Sequence, residues 1–465
     1  MVGTWRLLFI AAVLAIATNW ANGSQYPFVR GDANGDGAIN LVDAVVILQS
    51  RFGGPPLVCE DTGDINDNGA VNIADAIHLL SYLFNSNNPP AAPFPVSGVD
   101  PTADSLACPG SSAPDLYDGV NGAADIHIVD ILSHPGAELV SLANGPNQIK
   151  IHATQPGGCA TTNGCAVTHT LNLAANPWDV EVGDVDGNGL LDLAATSRSG
   201  HRVHVYLQTA PNIFGSAIVI TTPAPRGLVL MDVNSDGHLD VLTANETQDF
   251  IGVHLYDPLS MGFVAGTSVS APSQPYDLVT NPDFDLNADG LQDALAVARG
   301  ADAVLPLLGN GAGVSPGTII DIAVPGCSNP RPWFIDLGDL DADGYIDFVV
   351  SNDLCASTLH VYRGAANGQF VFDQVIGTLS PPRHLVIEDV NQDGALDILV
   401  ARPSSGTFLA LINDVSQVGL SFTGCSFATM TGPRAIGVGD VDADGDVDVA
   451  VANFVSDTIT VHRSQ

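Results

Sequence analysis

Six stretches of nine residues place oxygen-bearing side chains at positions 1, 3, 5 and 9. They are Asp184, Asp186, Asn188 and Asp192; Asp232, Asn234, Asp236 and Asp240; Asp285, Asn287, Asp289 and Asp293; Asp339, Asp341, Asp343 and Asp347; Asp389, Asn391, Asp393 and Asp397; and Asp440, Asp442, Asp444 and Asp448. Position 6 is glycine in every one. Hard oxygen donors at alternate positions, in a chain that turns on a glycine, suit calcium, which takes roughly six to eight such ligands. The loops at 339–347 and 440–448 offer four carboxylates each and the other four offer three and an asparagine, so the first two are expected to fill first.

A second kind of loop occurs twice, at 32–43 and 64–75. Its oxygens fall at positions 1, 3, 5, 9 and 12: Asp32, Asn34, Asp36, Asn40 and Asp43, then Asp64, Asn66, Asn68, Asn72 and Asp75. These copies carry the closing acid of an EF-hand-type loop, which the six shorter ones lack.

The elements that hold the loops differ between the two kinds. Behind the two long loops an apolar set recurs at helical spacing, Leu41, Val45, Leu48 and Phe52 matched by Ile73, Ile77, Leu80 and Phe84, so each is expected to feed one amphipathic helix. The six short loops instead lie between strand patterns: "LVLMDV" runs into one, "DVLTAN" leaves it and "GVHLYD" comes next. Their starts at 184, 232, 285, 339, 389 and 440 recur with a period of roughly fifty, the length of a four-stranded propeller blade. One period earlier, "DILSHPGAE" (130–138) keeps acids at both ends but has Leu132 and His134 where middle ligands would be. It reads as a seventh unit that binds no metal.

The paired loop-helix stretch, residues 27–86, resembles a type I dockerin, a small calcium-folded module that binds cohesin domains. The resemblance implies that the ten side chains above hold calcium. Its cohesin-reading positions 10 and 11 hold Leu41, Val42, Ile73 and Ala74 here, where dockerins typically carry small hydroxyl or polar residues. The seven units, residues 115–465, resemble the FG-GAP/VCBS repeats of integrin α-subunit heads and bacterial secreted proteins. That resemblance implies a mainly β fold, a seven-bladed β-propeller preceded by the small α-helical module, with calcium fixing the turn between the first two strands of each blade. The sequence ends at Gln465, too soon after Asp440 for a whole last blade, so "DLYDGV" (115–120) is expected to supply its missing strand and latch the ring.

The chain has 465 residues, with 51 Asp and Glu against 14 Lys and Arg. A net charge of −37 repels nucleic acid and anionic membranes and concentrates divalent cations. Arg6, the apolar run 7–17 and "ANG" at 21–23 read as a secretory signal peptide over 1–23, with a Pro-rich linker over 87–114 and no membrane span in the mature chain. The protein is therefore expected to be secreted or cell-surface associated. Seven cysteines in an exported chain suggest disulfides: Cys159–Cys165, Cys327–Cys355 and Cys59–Cys108, leaving Cys425.

Enzyme signatures are thin. "AGTSVSAP" (265–272) looks like a subtilisin nucleophile segment and "DTG" (61–63) like its Asp motif, without the matching His motif. His152, His204, His254, His360 and His462 recur in third strands of different blades and read as packing residues. "RGD" at 30–32 resembles an integrin ligand, yet Asp32 belongs to the loop. A different set draws attention. A proline near each loop is followed by Trp178, Arg226, Tyr276, Trp333, Arg383 or Arg434, and these are expected to open the innermost strands and ring one mouth of the channel. Aromatic faces stack on sugars and guanidinium forks pair with carboxylate or sulfate. The leading expectation is non-catalytic binding of an anionic polysaccharide, a cohesin-like protein or a cell-surface protein. The alternative is a polysaccharide lyase or glycoside hydrolase, or its accessory subunit.

Overall fold

Second strands of the repeats, such as "DVLTAN" and "DFVVSN", are apolar almost throughout, a pattern that needs cover on both faces. The computed structural model supplies that cover by radial stacking. It describes residues 29–33, 39–51, 57, 60–68, 70–85, 89–91, 94, 115–118, 120–133, 136–153, 167–324, 327, 329–354, 357–366, 368–413 and 419–464. The described strands form seven antiparallel sheets of four or five strands, with one short hairpin beside the second. Each sheet is one blade of a β-propeller. The second strands, for example Asp192–Ser197, Asp240–Asn245, Asp347–Asn352 and Asp448–Asn453, are buried along their whole length. Outer strands such as Val167–Asn172 are largely exposed.

The ring closes as the residue count demands. Asp115–Asp118 pairs antiparallel with Thr458–His462, Leu116 facing Thr460 and Tyr117 facing Ile459, and becomes the outermost strand of the seventh blade. Tyr117 is buried in one apolar cluster with Ile126, Leu139, Ile459 and Val461, which ties the first blade to the last.

The N-terminal stretch forms the two expected helices, Leu41–Arg51 and Ile73–Asn85, and a short one, Glu60–Gly63. Their core is Ala44, Ile47, Ala76 and Leu79 with Leu57, Ile65 and Val71. The helical spacing read from the sequence therefore chose the wrong face. Leu41, Val45, Ile73, Ile77 and Phe84 are exposed, while Leu48 and Leu80 are half-buried. Small residues at 44 and 76 let the two helices approach closely, which the apolar pattern alone does not rank. Phe52, residues 1–23 expected to form a signal peptide, nearly all of the expected linker at 87–114, and Cys59, Cys108, Cys159, Cys165 and Cys355 lie outside the described residues. Among the described residues no helix is long and apolar enough to cross a membrane.

Candidate functional site

The short loops owe their shape to two left-handed residues. Position 6 is glycine, and position 4 is also left-handed in all six, as Gly187, Ser235, Ala288, Ala342, Gln392 and Ala443. Five of these are not glycine and carry the cost of that conformation, about 1 kcal/mol. The position-1 carboxylate pins the turn: both Asp339 oxygens accept backbone N–H groups, from Asp343 at 3.1 Å and Gly344 at 2.9 Å. The position-9 acid is fully buried and does something else. Asp347 accepts the N–H of Leu340 at 2.9 Å and that of Gly364, at the end of the third strand, at 2.8 Å. The same pair of bonds recurs at Asp192, Asp240, Asp293 and Asp448. At the degenerate loop Glu138 takes over, accepting Ile131 and Leu132 N–H groups at 2.9 and 2.8 Å. That unit keeps the anchor and lacks the middle donors.

In three loops the carboxylates converge: Asp184, Asp186 and Asp192; Asp339, Asp341 and Asp347; Asp440, Asp442 and Asp448, each set with oxygens within 4.8 Å of one another. Clusters of this kind can bind a metal ion, and an all-oxygen donor set fits a hard divalent cation. Position 3 is what separates these loops, since the other three carry Asn234, Asn287 or Asn391 there. The loop at 184–192 thus joins the two that the acid count ranked first. Those two each have an arginine against the position-3 acid, Arg363 to Asp341 at 3.2 Å and Arg463 to Asp442 at 3.5 Å.

In the helical module Asp75 is buried and accepts Asn66 Nδ2 at 2.6 Å and Asn72 N–H at 2.9 Å. Asp43 is buried and accepts the Asn40 N–H at 2.8 Å. Asp64 accepts from Asn68 at 3.2 Å. Asn34 and Asp36 lie outside the described residues. Arg30 of the "RGD" is buried, its Nη1 donating to the Asp64 carbonyl and its Nη2 paired with Asp67 at 2.9 Å. That side chain is structural.

The six large residues of the mouth do come together, and tightly. Arg226 lies 3.7 Å from the centre of the Trp178 ring and 3.8 Å from that of Tyr276. Arg383 stacks on Trp333 at 3.7 Å and Arg434 on Trp178 at 4.0 Å, while Trp333 meets Tyr276 edge-on at 4.9 Å. Arg299, absent from the proline-marked set, stacks on Trp333 at 4.2 Å; it lies just past the end of a second strand, six residues after the position-9 acid, where Arg198, Glu246, Asp353 and Phe454 stand in other blades, and that repeat position is the signal that could have found it. Glu246 pairs with Arg226 at 2.8 Å and Asp353 with Arg299 at 3.1 Å. Burial pushes Arg434 down to about 10. Trp333 and Tyr276 are also members of an apolar core cluster.

Trp178 and Arg434 also border a chamber of about 290 Å³ lined by Asp125, His127, Asp179, Glu181, Asp277, Asp336 and His384. Most of these latch one blade to the next. Asp125 accepts the Val180 N–H at 3.0 Å, Asp179 that of Leu228 at 2.7 Å, Asp277 that of Ile335 at 3.1 Å, Asp336 that of Ile387 at 2.7 Å and His384 that of Ile436 at 3.3 Å. Where no side chain bridges, the strands touch. A Cβ on Gly227 would sit 2.8 Å from Asp277 Cα, and one on Gly437 would sit 2.9 Å from the Ile126 carbonyl oxygen.

These latches carry a pH dependence. Burial raises Asp336 and Glu181 to about 7. Burial alone would lower His127, but the Asp125 carboxylate, 3.8 Å from its Nε2, holds it at about 9. All three favour the folded state when protonated. The carboxyl contributions are complete below their ordinary values of 3.8 and 4.5 and lost as pH rises through about 7; the His127 contribution is complete below 6.5 and lost through about 9. With calcium saturating, Tm is expected to fall from pH 6 to pH 9, and to fall less in Asp336→Asn. Equal slopes in the two proteins would show that Asp336 does not titrate in this range.

The third-strand histidines occupy two registers. His152, His254 and His462 face the residue just after the anchor acid (Leu139, Val241, Val449), whereas His204 and His360 face residues two further on (Ala195, Val350). Cys425 is a buried free thiol. Ser268 of the subtilisin-like segment is exposed at the outer edge of the third blade.

Ring, loops and closure define a seven-bladed β-propeller built on repeats with acidic nine-residue loops. In keeping with this, the chain carries FG-GAP-like repeats, matched at residues 184–243, 285–350, 339–400 and 389–451. Among solved structures it is similar to BBS1N in complex with ARL6DN, at 13% identity over 76% of this chain and 95% of that one, with a TM-score of 0.51. A protein from Lactobacillus plantarum is similar at 15% identity over 72% and 90%, with a TM-score of 0.50. Both likenesses are of fold. No curated protein matches the sequence.

Proposed function

We infer that this is an exported, calcium-binding recognition protein that holds an anionic polysaccharide at the arginine–aromatic mouth without cleaving it. The observation that carries the reading is a set of buried N–H donors that lack acceptors among the described residues: Trp333 Nε1, Arg226 Nε, Arg299 Nε and Arg434 Nη2. A buried donor without an acceptor costs about 1–3 kcal/mol, and four of them in one cationic patch call for an acceptor-rich, negative ligand. In a chain of net charge −37 this patch is the exception; the surrounding repulsion is screened beyond about 10 Å at 0.1 M salt. Calcium in the converged loops would hold the opposite ends of the inner strands in place.

Arg383 is the residue to change, because it is half-buried and lies on the face of Trp333 rather than within a core cluster. Arg383→Ala is expected to weaken binding of polygalacturonate about tenfold with Tm nearly unchanged and no new reducing or unsaturated ends formed by the wild type. Trp333→Ala is a poor probe: a core member, it should cost about 3–5 kcal/mol of stability. Equal binding of polygalacturonate and a neutral glucan, or full affinity in Arg383→Ala, would place the site elsewhere.

The helical module supports a second contact. Leu41, Val42, Ile73 and Ala74 are all exposed, a duplicated apolar face at the positions that read cohesin in dockerins, so it would dock a cohesin-like protein by hydrophobic contact.

A further inference from the structure

The buried anchor acids give a common register for the third strands. The residue whose N–H reaches the anchor Oδ1 is Gln208, Tyr256, Gly309, Gly364, Asn413 or Ser464 in the second to seventh blades. This residue and the one two before it lie on the same side of the strand and fill the space against the preceding blade. In the second, third and fifth blades one of the pair is a buried tyrosine: Tyr206, Tyr256 or Tyr362. In the fourth and sixth it is a buried leucine, Leu307 or Leu411. The seventh blade has only His462 and Ser464. It matches the third blade, with His254 and Tyr256, except that serine stands where the phenol is. In the third blade that phenol packs 5.4 Å from the Phe263 ring.

A cavity of about 520 Å³ opens at that place between the sixth and seventh blades. Its walls include Phe408, Phe427, Cys425, Val449, His462 and Ser464. Phe408 and Phe427 stack face to face at 4.8 Å, and the His462 ring meets Phe408 edge-on at 5.0 Å. His462 is 6% exposed and its Nε2 has no hydrogen-bond partner among the described residues. Burial lowers its pKa to about 4, so the ring is neutral and can donate to or accept from a hydroxyl.

We propose that the cleft between the sixth and seventh blades binds a small phenolic aromatic of one or two rings, which takes the place of the tyrosine found in the third blade and hydrogen-bonds to His462 Nε2. The volume is that of a ligand pocket rather than a packing defect; its inner walls are aromatic and aliphatic around His462, with Thr423 and Ser464 beside them and Asn391, Asp393 and Arg463 also in the lining, a combination that orients a phenol. The site lies away from the channel mouth and stands or falls independently of polysaccharide binding.

The test uses the full chain in calcium with 2-naphthol and naphthalene as probes. 2-Naphthol is expected to raise Tm saturably, and at about ten times its Kd to slow methylthiolation of Cys425 about tenfold, as occupancy dictates. His462→Phe should bind the two probes alike, removing the preference for the hydroxyl. Ser464→Tyr should abolish binding; if it fails to fold, Ser464→Leu serves the same purpose. No saturable shift and no protection of Cys425 in the wild type would overturn the proposal, as would undiminished binding in a folded Ser464 variant.

Discussion

Asp347→Ala is expected to destabilise the propeller by about 3–5 kcal/mol in calcium, far more than Asp343→Ala four residues earlier. Both are acids of one loop, and by spacing alone both are ligands. Asp347, however, is fully buried and holds the N–H groups of Leu340 and Gly364, while Asp343 is exposed. Its removal leaves two buried donors without acceptors and takes one oxygen from the set shared with Asp339 and Asp341. Asp343→Ala removes a proposed ligand and an acceptor for the exposed Tyr345 N–H, so its effect should vanish in chelator while that of Asp347→Ala persists. Denaturant unfolding of both variants with calcium and with chelator makes the comparison. Equal losses would mean that position 9 is a ligand and no more.

Deleting residues 109–122 is expected to lower Tm by roughly 5–10 °C. The deletion removes the strand Asp115–Asp118 and with it the outer ladder of the seventh blade. It also takes the buried Tyr117 ring from the cluster shared by the first and last blades, worth about 1.5–3 kcal/mol by burial alone. The Gly122 N–H bond to Asp457, at 2.7 Å, goes too. A ring held shut only by contacts between inner strands would keep its wild-type Tm, and that result would refute the role given to this strand. Tyr117→Ala separates the side chain from the ladder and should account for less than half of the loss.

Much of this protein is legible in its sequence, because the informative signals are local. Oxygen side chains at positions 1, 3, 5 and 9 around Gly344 describe a turn within one short segment, and a loop period of roughly fifty counts the blades without any knowledge of how they pack. The closing strand was expected from the same count of strands per blade, and Asp115–Asp118 supplies it against Thr458–His462. Even the mouth was marked, by prolines that recur ahead of Trp178, Arg226 and their equivalents. What tertiary structure alone decided lies between elements. Asp179 and Asp277 look like ordinary strand acids until ring closure brings each to a backbone N–H of the next blade, that of Leu228 or Ile335. Arg299 stands at a repeat position held elsewhere by Arg198, Glu246, Asp353 and Phe454, too varied in type to suggest a role, and only the fold shows that the second strand of its blade ends beside Trp333. The helices show the same limit: Leu41 and Ala44 are both apolar, and close approach of the two backbones, which favours the smaller residue, decided which one is buried. Spacing along a chain specifies a turn or a strand; which side chains meet across a ring depends on where every other blade has already placed its neighbours.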